Sequence, residues 1–286
     1  MELNRKNSLL LITLIYILTI IFAVGVYLVL PFKFWLNLLI ADIATTMFVF
    51  VFSVIFKNAS IYDPYWSVQP IVVLFAFLVC NPISPIKICL MLTVVFWGVR
   101  LTANWVYTFK DLQHQDWRYT QLKQQTKKFY PLVNFFGIHL FPTLIVYSCI
   151  LPAVFVMTSN TTTSVISYLF ILVSILSVIL QGVADWQMHQ FRKNRVTTFM
   201  QQGVWKYSRH PNYLAEILMW WGIGLSCVLT LNAQWYLLVG AMLNTLMFIF
   251  ISIPLADKRL SKKEGFKEYK NSTRMLLPIP RFIKNK

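Results

Sequence analysis

Three stretches of this 286-residue chain carry residue types and spacings that could do chemistry. In the first, Trp205-Lys206-Tyr207-Ser208-Arg209-His210-Pro211-Asn212-Tyr213 leads from a basic, aromatic run into an apolar one, with Glu216 just beyond. Proline suits a helix start, because its missing N–H is not needed there and its φ is already helical. The unpaired N–H groups and positive dipole end of that helix would then face Arg209 and His210, a combination suited to phosphate or carboxylate. Glu216 lies one turn inside the same helix, where a carboxylate is costly without a partner. The plainer reading is a basic membrane flank with a snorkelling glutamate.

In the second stretch, Asn58-Ala59-Ser60-Ile61-Tyr62-Asp63-Pro64-Tyr65-Trp66-Ser67 sets a carboxyl group among aromatic rings. Pro64 disfavours helix at Asp63, so the run reads as a break between two apolar segments. A carboxyl group held in an apolar, aromatic pocket can donate or relay a proton; otherwise this is a turn aspartate in an aromatic belt. The third is Arg100 in Phe96-Trp97-Gly98-Val99-Arg100-Leu101, several residues from either end of its apolar segment. Snorkelling from there is hard, so a buried anion is expected: Asp63, Asp42 or the phosphate of a cofactor.

Further polar clusters adjoin these. Gln115-Asp116-Trp117-Arg118-Tyr119 mixes charge with aromatics and reads equally as a solvated loop. Asp185 and His189 stand four apart, on one helical face. Asp185 could accept from ribose or amide groups of a nucleotide, or pair with Arg192 or Arg195. The tail from Asp257 holds Arg259, Tyr269 and Arg274. It is either a basic amphipathic segment lying on lipid or a lid supplying a tyrosine and an arginine to a nucleotide.

The elements that must position these residues follow from composition. Hydrophobic residues make up 57% of the chain and charged residues 13%, with mean hydropathy +0.61; a soluble chain carries about a quarter charged residues. The fold expected is an all-α, polytopic transmembrane bundle. A span needs about 20 apolar residues, and eight segments qualify: 8–30, 35–56, 66–81, 86–107, 133–157, 163–183, 213–231 and 233–254. The first is too long for a secretory signal core and is read as uncleaved. With the N-terminus in the cytoplasm, 23 of the 26 Lys and Arg fall on the cytoplasmic side. Lys33 and Lys87 lie opposite, and Arg100 lies inside a span. The positive-inside rule is thus obeyed with both termini cytoplasmic, in the endoplasmic reticulum of a eukaryote or the plasma membrane of a bacterium. The net charge of +16 is then a property of one face, attracted to anionic lipid, and nucleic acid is not needed to explain it. Cys80, Cys89, Cys149 and Cys227 show no metal-ligand spacing, so neither disulfide nor metal is expected. GxGxxG, Walker A and HExxH patterns are absent from the sequence.

The run Trp205 to Tyr213 with Glu216 resembles the C-terminal signature of the steroid 5α-reductase superfamily, nearest to its bacterial and algal branch, the DUF1295 group. Tyr62-Asp63-Pro64-Tyr65-Trp66-Ser67, Gly98-x-Arg100-Leu101, Asp116-Trp117-Arg118-Tyr119 and Ala184-Asp185-Trp186-Gln187 are similar to that branch too. So is Tyr269-x(4)-Arg274-x(3)-Pro278. The resemblance covers residues 35–282, leaving 1–34 as an extra N-terminal span before one membrane domain, 35–286. It implies a bundle of about seven or eight spans whose cytoplasmic loops form an NADPH site. It also implies hydride transfer to an alkene conjugated with a ketone, in a steroid-, isoprenoid- or other lipid-like substrate. Carried over motif by motif, Arg100, Asp116, Tyr119, Asp185, Asn212, Tyr213, Glu216, Tyr269 and Arg274 would contact or frame NADPH, and Arg209 and His210 would face its phosphates. Asp63 falls where the steroid reductases place a glutamate that polarises the substrate carbonyl, and Trp97 where they place a tyrosine. Indole is a donor only and cannot act as a phenolic acid does; Tyr62 or Tyr65 is then the source of the hydroxyl. The Arg-His-Pro-x-Tyr core is shared with isoprenylcysteine and phospholipid methyltransferases, which use it for S-adenosylmethionine. A non-catalytic lipid-binding scaffold is the third reading.

Overall fold

The computed structural model describes residues 4–194 and 197–279; Arg195 and the end of the tail, 280–286, lie outside the described residues. The chain is all-α and divides into two compact units, Met1–Asn160 and Thr161–Lys286. Among the described residues, eight helices are long and apolar enough to cross a membrane, as the hydropathy of the sequence predicts.

Unit 1 contains α1 (Arg5–Val29), α2 (Phe34–Ile55), α3 (Tyr65–Val79), α4 (Pro85–Thr108), α5 (Trp117–Thr126) and α6 (Phe141–Thr158). The Asn4 side chain caps α1 by accepting from the Asn7 N–H, and Asp116 caps α5 by accepting from the Arg118 N–H. Each satisfies one of the donors a helix start leaves open. Between α2 and α3 a 3₁₀ turn, Ala59–Ile61, carries the chain to Asp63 and Pro64. The break predicted from Pro64 is therefore present. Helices α3 and α4 approach closely at Gly98, where a Cβ would lie 2.5 Å from the Ser67 carbonyl oxygen.

Unit 2 contains α7 (Val165–Asn194), α8 (Pro211–Thr230), α9 (Val239–Met247), α10 (Ile253–Leu260) and α11 (Phe266–Ser272). Pro211 opens α8 as predicted, and Asn232 and Ala233 make the tight turn after it with positive φ. Helix α7 runs past the predicted limit at residue 183 to Asn194, because its last turns trade apolar residues for an amphipathic face. Gly222 of α8 sits against α7, where a Cβ would lie 2.7 Å from the Phe170 carbonyl oxygen. Small residues at such crossings let helix backbones meet inside a membrane.

Two π-helical segments, Val133–Leu140 and Phe248–Ser252, run directly into α6 and α10. Each of those helices has a proline at its second residue, Pro142 and Pro254. Proline cannot donate to the carbonyl four residues back and its ring crowds it. A wider turn just before the proline relieves that conflict, and such π turns recur at functional sites.

Candidate functional site

In unit 1 the acids of the membrane segments are held by phenols. Tyr119 of α5 donates its hydroxyl to Asp63 Oδ1, bringing together two predicted site residues 56 positions apart. The cap geometry of Asp116 fixes the start of α5: its N–H donates to Ser60 Oγ at 2.9 Å, and Arg118 Nε donates to its carboxylate at 2.8 Å. The Arg118 guanidinium lies 5.4 Å from the Tyr119 ring centre. A cation thus flanks the phenol that holds Asp63. Of the two residues expected to contact a cofactor, Tyr119 bonds the Asp63 carboxyl and Asp116 caps the helix that carries Tyr119.

Tyr65 pairs with Asp42, its hydroxyl 2.6 Å from Asp42 Oδ1 and 2.5 Å from Thr45 Oγ1. The Tyr62 ring stacks on Tyr65 with centres 5.4 Å apart, and its hydroxyl lies 2.7 Å from Thr143 Oγ1. Thr143 in turn meets Thr46 at 2.8 Å. His139, fully buried in the π segment, lies 4.6 Å from the Tyr62 ring, with Nδ1 at 2.9 Å from the Asn134 carbonyl. A carbonyl only accepts, so Nδ1 carries the proton. Sequence reasoning noted Asp42 but gave Tyr65 no partner, and it missed His139 and Thr143. Trp97 is fully buried, its ring centre 6.3 Å from that of Trp66. Arg100 follows one turn on and is half-buried.

In unit 2 the central run closes on a carboxylate of its own chain. Arg209 Nη2 donates to Asp257 Oδ2 at 3.1 Å, and His210 Nε2 lies 3.0 Å from Asp257 Oδ1. Arg209 Nη1 donates to the Thr273 carbonyl at 2.7 Å. All three side chains are at least nine-tenths buried. Lys270 Nζ stands 3.6 Å from the same carboxylate. An anion was the expected partner of Arg209 and His210; the structure supplies one from α10.

The tail secures this arrangement. Ser208 and Arg274 form a parallel bridge, and the Arg209 N–H donates to the Arg274 carbonyl at 3.0 Å. Tyr269 donates its hydroxyl to the Trp205 carbonyl, and burial pushes that phenol above its usual range against the pull of Arg209. The side chain of Arg274 itself is exposed. Tyr213 stacks on His210 with ring centres 5.3 Å apart. Glu216, buried in α8, accepts from Gln181 Nε2 at 3.1 Å and Trp220 Nε1 at 3.0 Å, so the partner that its depth demands is present. Asp185 is half-buried on α7.

For a nucleotide, unit 2 offers the carboxamide of Asn212, whose Oδ1 is buried at the start of α8 without a partner among the described residues. A lone acceptor there fits a hydroxyl or amide donor, and the helix start beside it favours negative charge. Arg209 contributes charge, since most of its donors are already taken up by the chain. No group of three or more His, Cys, Asp or Glu able to hold a metal occurs among the described residues.

The family profile described as "Protein of unknown function (DUF1295)" matches residues 49–273. An uncharacterized protein of Schizosaccharomyces pombe, C594.04c, is 26% identical over 193 residues, which are 57% of this chain and 56% of that protein. The chain therefore spans about half the length of that relative. No solved structure matches it.

Proposed function

The chain belongs to the DUF1295 family of multi-pass membrane proteins, and from that premise we propose that it is an NADPH-dependent reductase of a carbonyl-conjugated C=C bond in a lipid-like substrate. The observation that carries this reading is the Asp63–Tyr119 pair. A carboxyl group bonded to a phenol in an apolar segment can give up a proton and keep a hydrogen bond, because both partners can exchange donor and acceptor roles. That is what reduction of an enone asks of a protein. NADPH, when bound, supplies the hydride. The chain supplies polarisation: Asp63 bonds the carbonyl oxygen of the substrate, and preorganised dipoles stabilise the negative charge that grows there. Tyr119 holds Asp63 in place. Asn212 and the start of α8 hold the nucleotide, and Glu216, fixed by Gln181 and Trp220, keeps that helix start in register. Both termini lie in the cytoplasm under this reading, which puts the run from Trp205 to Asn212 on the side where NADPH is available.

The test is thermal shift of the detergent-purified protein with NADPH, NADH and S-adenosylmethionine, since a ligand held only by the native state raises apparent stability. Selective stabilisation by NADPH, lost in Asn212→Ala, is expected. It would be followed by NADPH oxidation assays against a panel of lipid enones. Stabilisation by S-adenosylmethionine alone would move the protein to the methyltransferases. No shift with any of the three would leave a lipid-binding scaffold.

A further inference from the structure

A second feature of unit 2 lies outside the reductase reading. A cleft of about 430 Å³ runs along one face of the last membrane segment. Its apolar half is Ile249, Ile253 and Pro254, and its polar half is Arg209, Asp257, Lys258, Ser261 and Lys270, with Met275 also in the lining. Residues 249, 253 and 257, and 254, 258 and 261, recur at three or four positions and so share a face. The π turn at Phe248–Ser252 and Pro254, which has no N–H to donate, shape this face. Phe250 and Ile251 beside it are exposed, as befits a surface turned to lipid.

Among the described residues, the polar half brings Arg209, Lys258 and Lys270 together with one carboxylate, that of Asp257. Arg209, only 5% exposed, keeps its Nε–H buried and without an acceptor among the described residues. A buried donor left unmade is costly, and a charged one more so. A phosphoryl oxygen is the acceptor that guanidinium and ammonium groups take together. The apolar half, leading back into the span, has no use for a soluble phosphate and suits an acyl chain.

We propose that this cleft binds an anionic glycerophospholipid, its phosphoryl group between Arg209, Lys258 and Lys270 and an acyl chain along Ile249 and Ile253. The probes are phosphatidylglycerol, phosphatidylcholine, inorganic phosphate and NADPH, each added to the full chain in detergent and read by thermal shift and native mass spectrometry. Phosphatidylglycerol should bind in preference to phosphatidylcholine. Lys258→Gln and Lys270→Gln, both exposed positions that leave the Arg209–Asp257 pair intact, should each weaken phosphatidylglycerol roughly five-fold, and together about 25-fold. Removing the same charge at Lys262 and Lys267, outside the cleft, should leave the preference unchanged. Equal binding of the two lipids, equal loss in the control pair, or equal stabilisation by inorganic phosphate would each overturn the proposal. Loss of the NADPH shift in the double variant, with phosphatidylglycerol unaffected, would make the cleft a nucleotide phosphate site instead. An absent NADPH response in the wild type bears only on the reductase reading.

Discussion

Both units place carboxyl groups within or at the edge of apolar segments, but they hold them with different donors. In unit 1, Asp63 and Asp42 face the phenols of Tyr119 and Tyr65. In unit 2, Asp257 faces Arg209, His210 and Lys270, and Glu216 faces the N–H groups of Gln181 and Trp220. A phenol can donate to a carboxylate or accept from a carboxylic acid, so either protonation state of the acid keeps a partner. Guanidinium, amide and indole N–H groups only donate, so their bonds to a carboxylate have no such second form. The hydrogen bonds to the acids of unit 1 can reverse direction, and the N–H bonds to the acids of unit 2 cannot.

The same isosteric change should therefore have opposite consequences in the two units. Asp257→Asn leaves Arg209 buried without its counter-charge, and should cost about 3–5 kcal/mol, read as a large fall in the midpoint of unfolding in detergent. Asp63→Asn should leave that midpoint nearly unchanged while cutting turnover of a confirmed enone about 10²–10⁴-fold. If Asp63→Asn turns over at the wild-type rate, the acid assigned to the reaction is the wrong one. If the two variants unfold alike, the contrast between the units fails.

Smaller effects sharpen the comparison at the helix crossings. Gly98→Ala in unit 1 and Gly222→Ala in unit 2 each drive a methyl group towards a carbonyl oxygen. Overpacking of this kind costs about 1–3 kcal/mol, and both variants should show it in unfolding midpoints without loss of the Asp63 or Asp257 contacts. The smallest effect is expected at Tyr269. Tyr269→Phe removes a hydrogen bond worth about 1 kcal/mol. Because burial raises the phenol above its ordinary value of 10.0, the unfolded state loses this proton first as pH rises. The contribution of this phenol to stability is fully present below about pH 10 and is lost progressively above it. The phenylalanine variant should unfold with a flatter alkaline dependence than the wild type.

Hydropathy made most of the fold legible. All eight predicted segments are helices; the third, predicted over 66–81, runs from Tyr65 to Val79. Proline marked the start of α8 and the break at Asp63, because its effect on the backbone is local. The end of α7 was not legible, since a helix that leaves the apolar layer stops announcing itself in hydropathy. Nor were the π turns, which depend on how a proline is accommodated by the residues before it. At the candidate site the sequence supplied the residues but not their partners. Asp63 and Tyr119 are 56 positions apart, and Arg209 and Asp257 are 48 apart. No local spacing rule joins residues at such distances. His139 offered no signal, since a single histidine in an apolar run has no pattern around it.

The closure of Arg209 and His210 on Asp257 also sets an order of events during synthesis. A chain made from its N-terminus presents Arg209 to the insertion machinery before the helix that carries Asp257 exists. At that moment the arginine is an exposed positive charge, and it helps decide which way the flanking spans cross. Once α10 has been threaded, the same charge is neutralised and buried, and it serves to anchor the tail. A residue that reads as an orientation signal in the nascent chain thus ends as a structural rivet in the finished protein, so a variant that removes it would disturb topology and stability at two separate times.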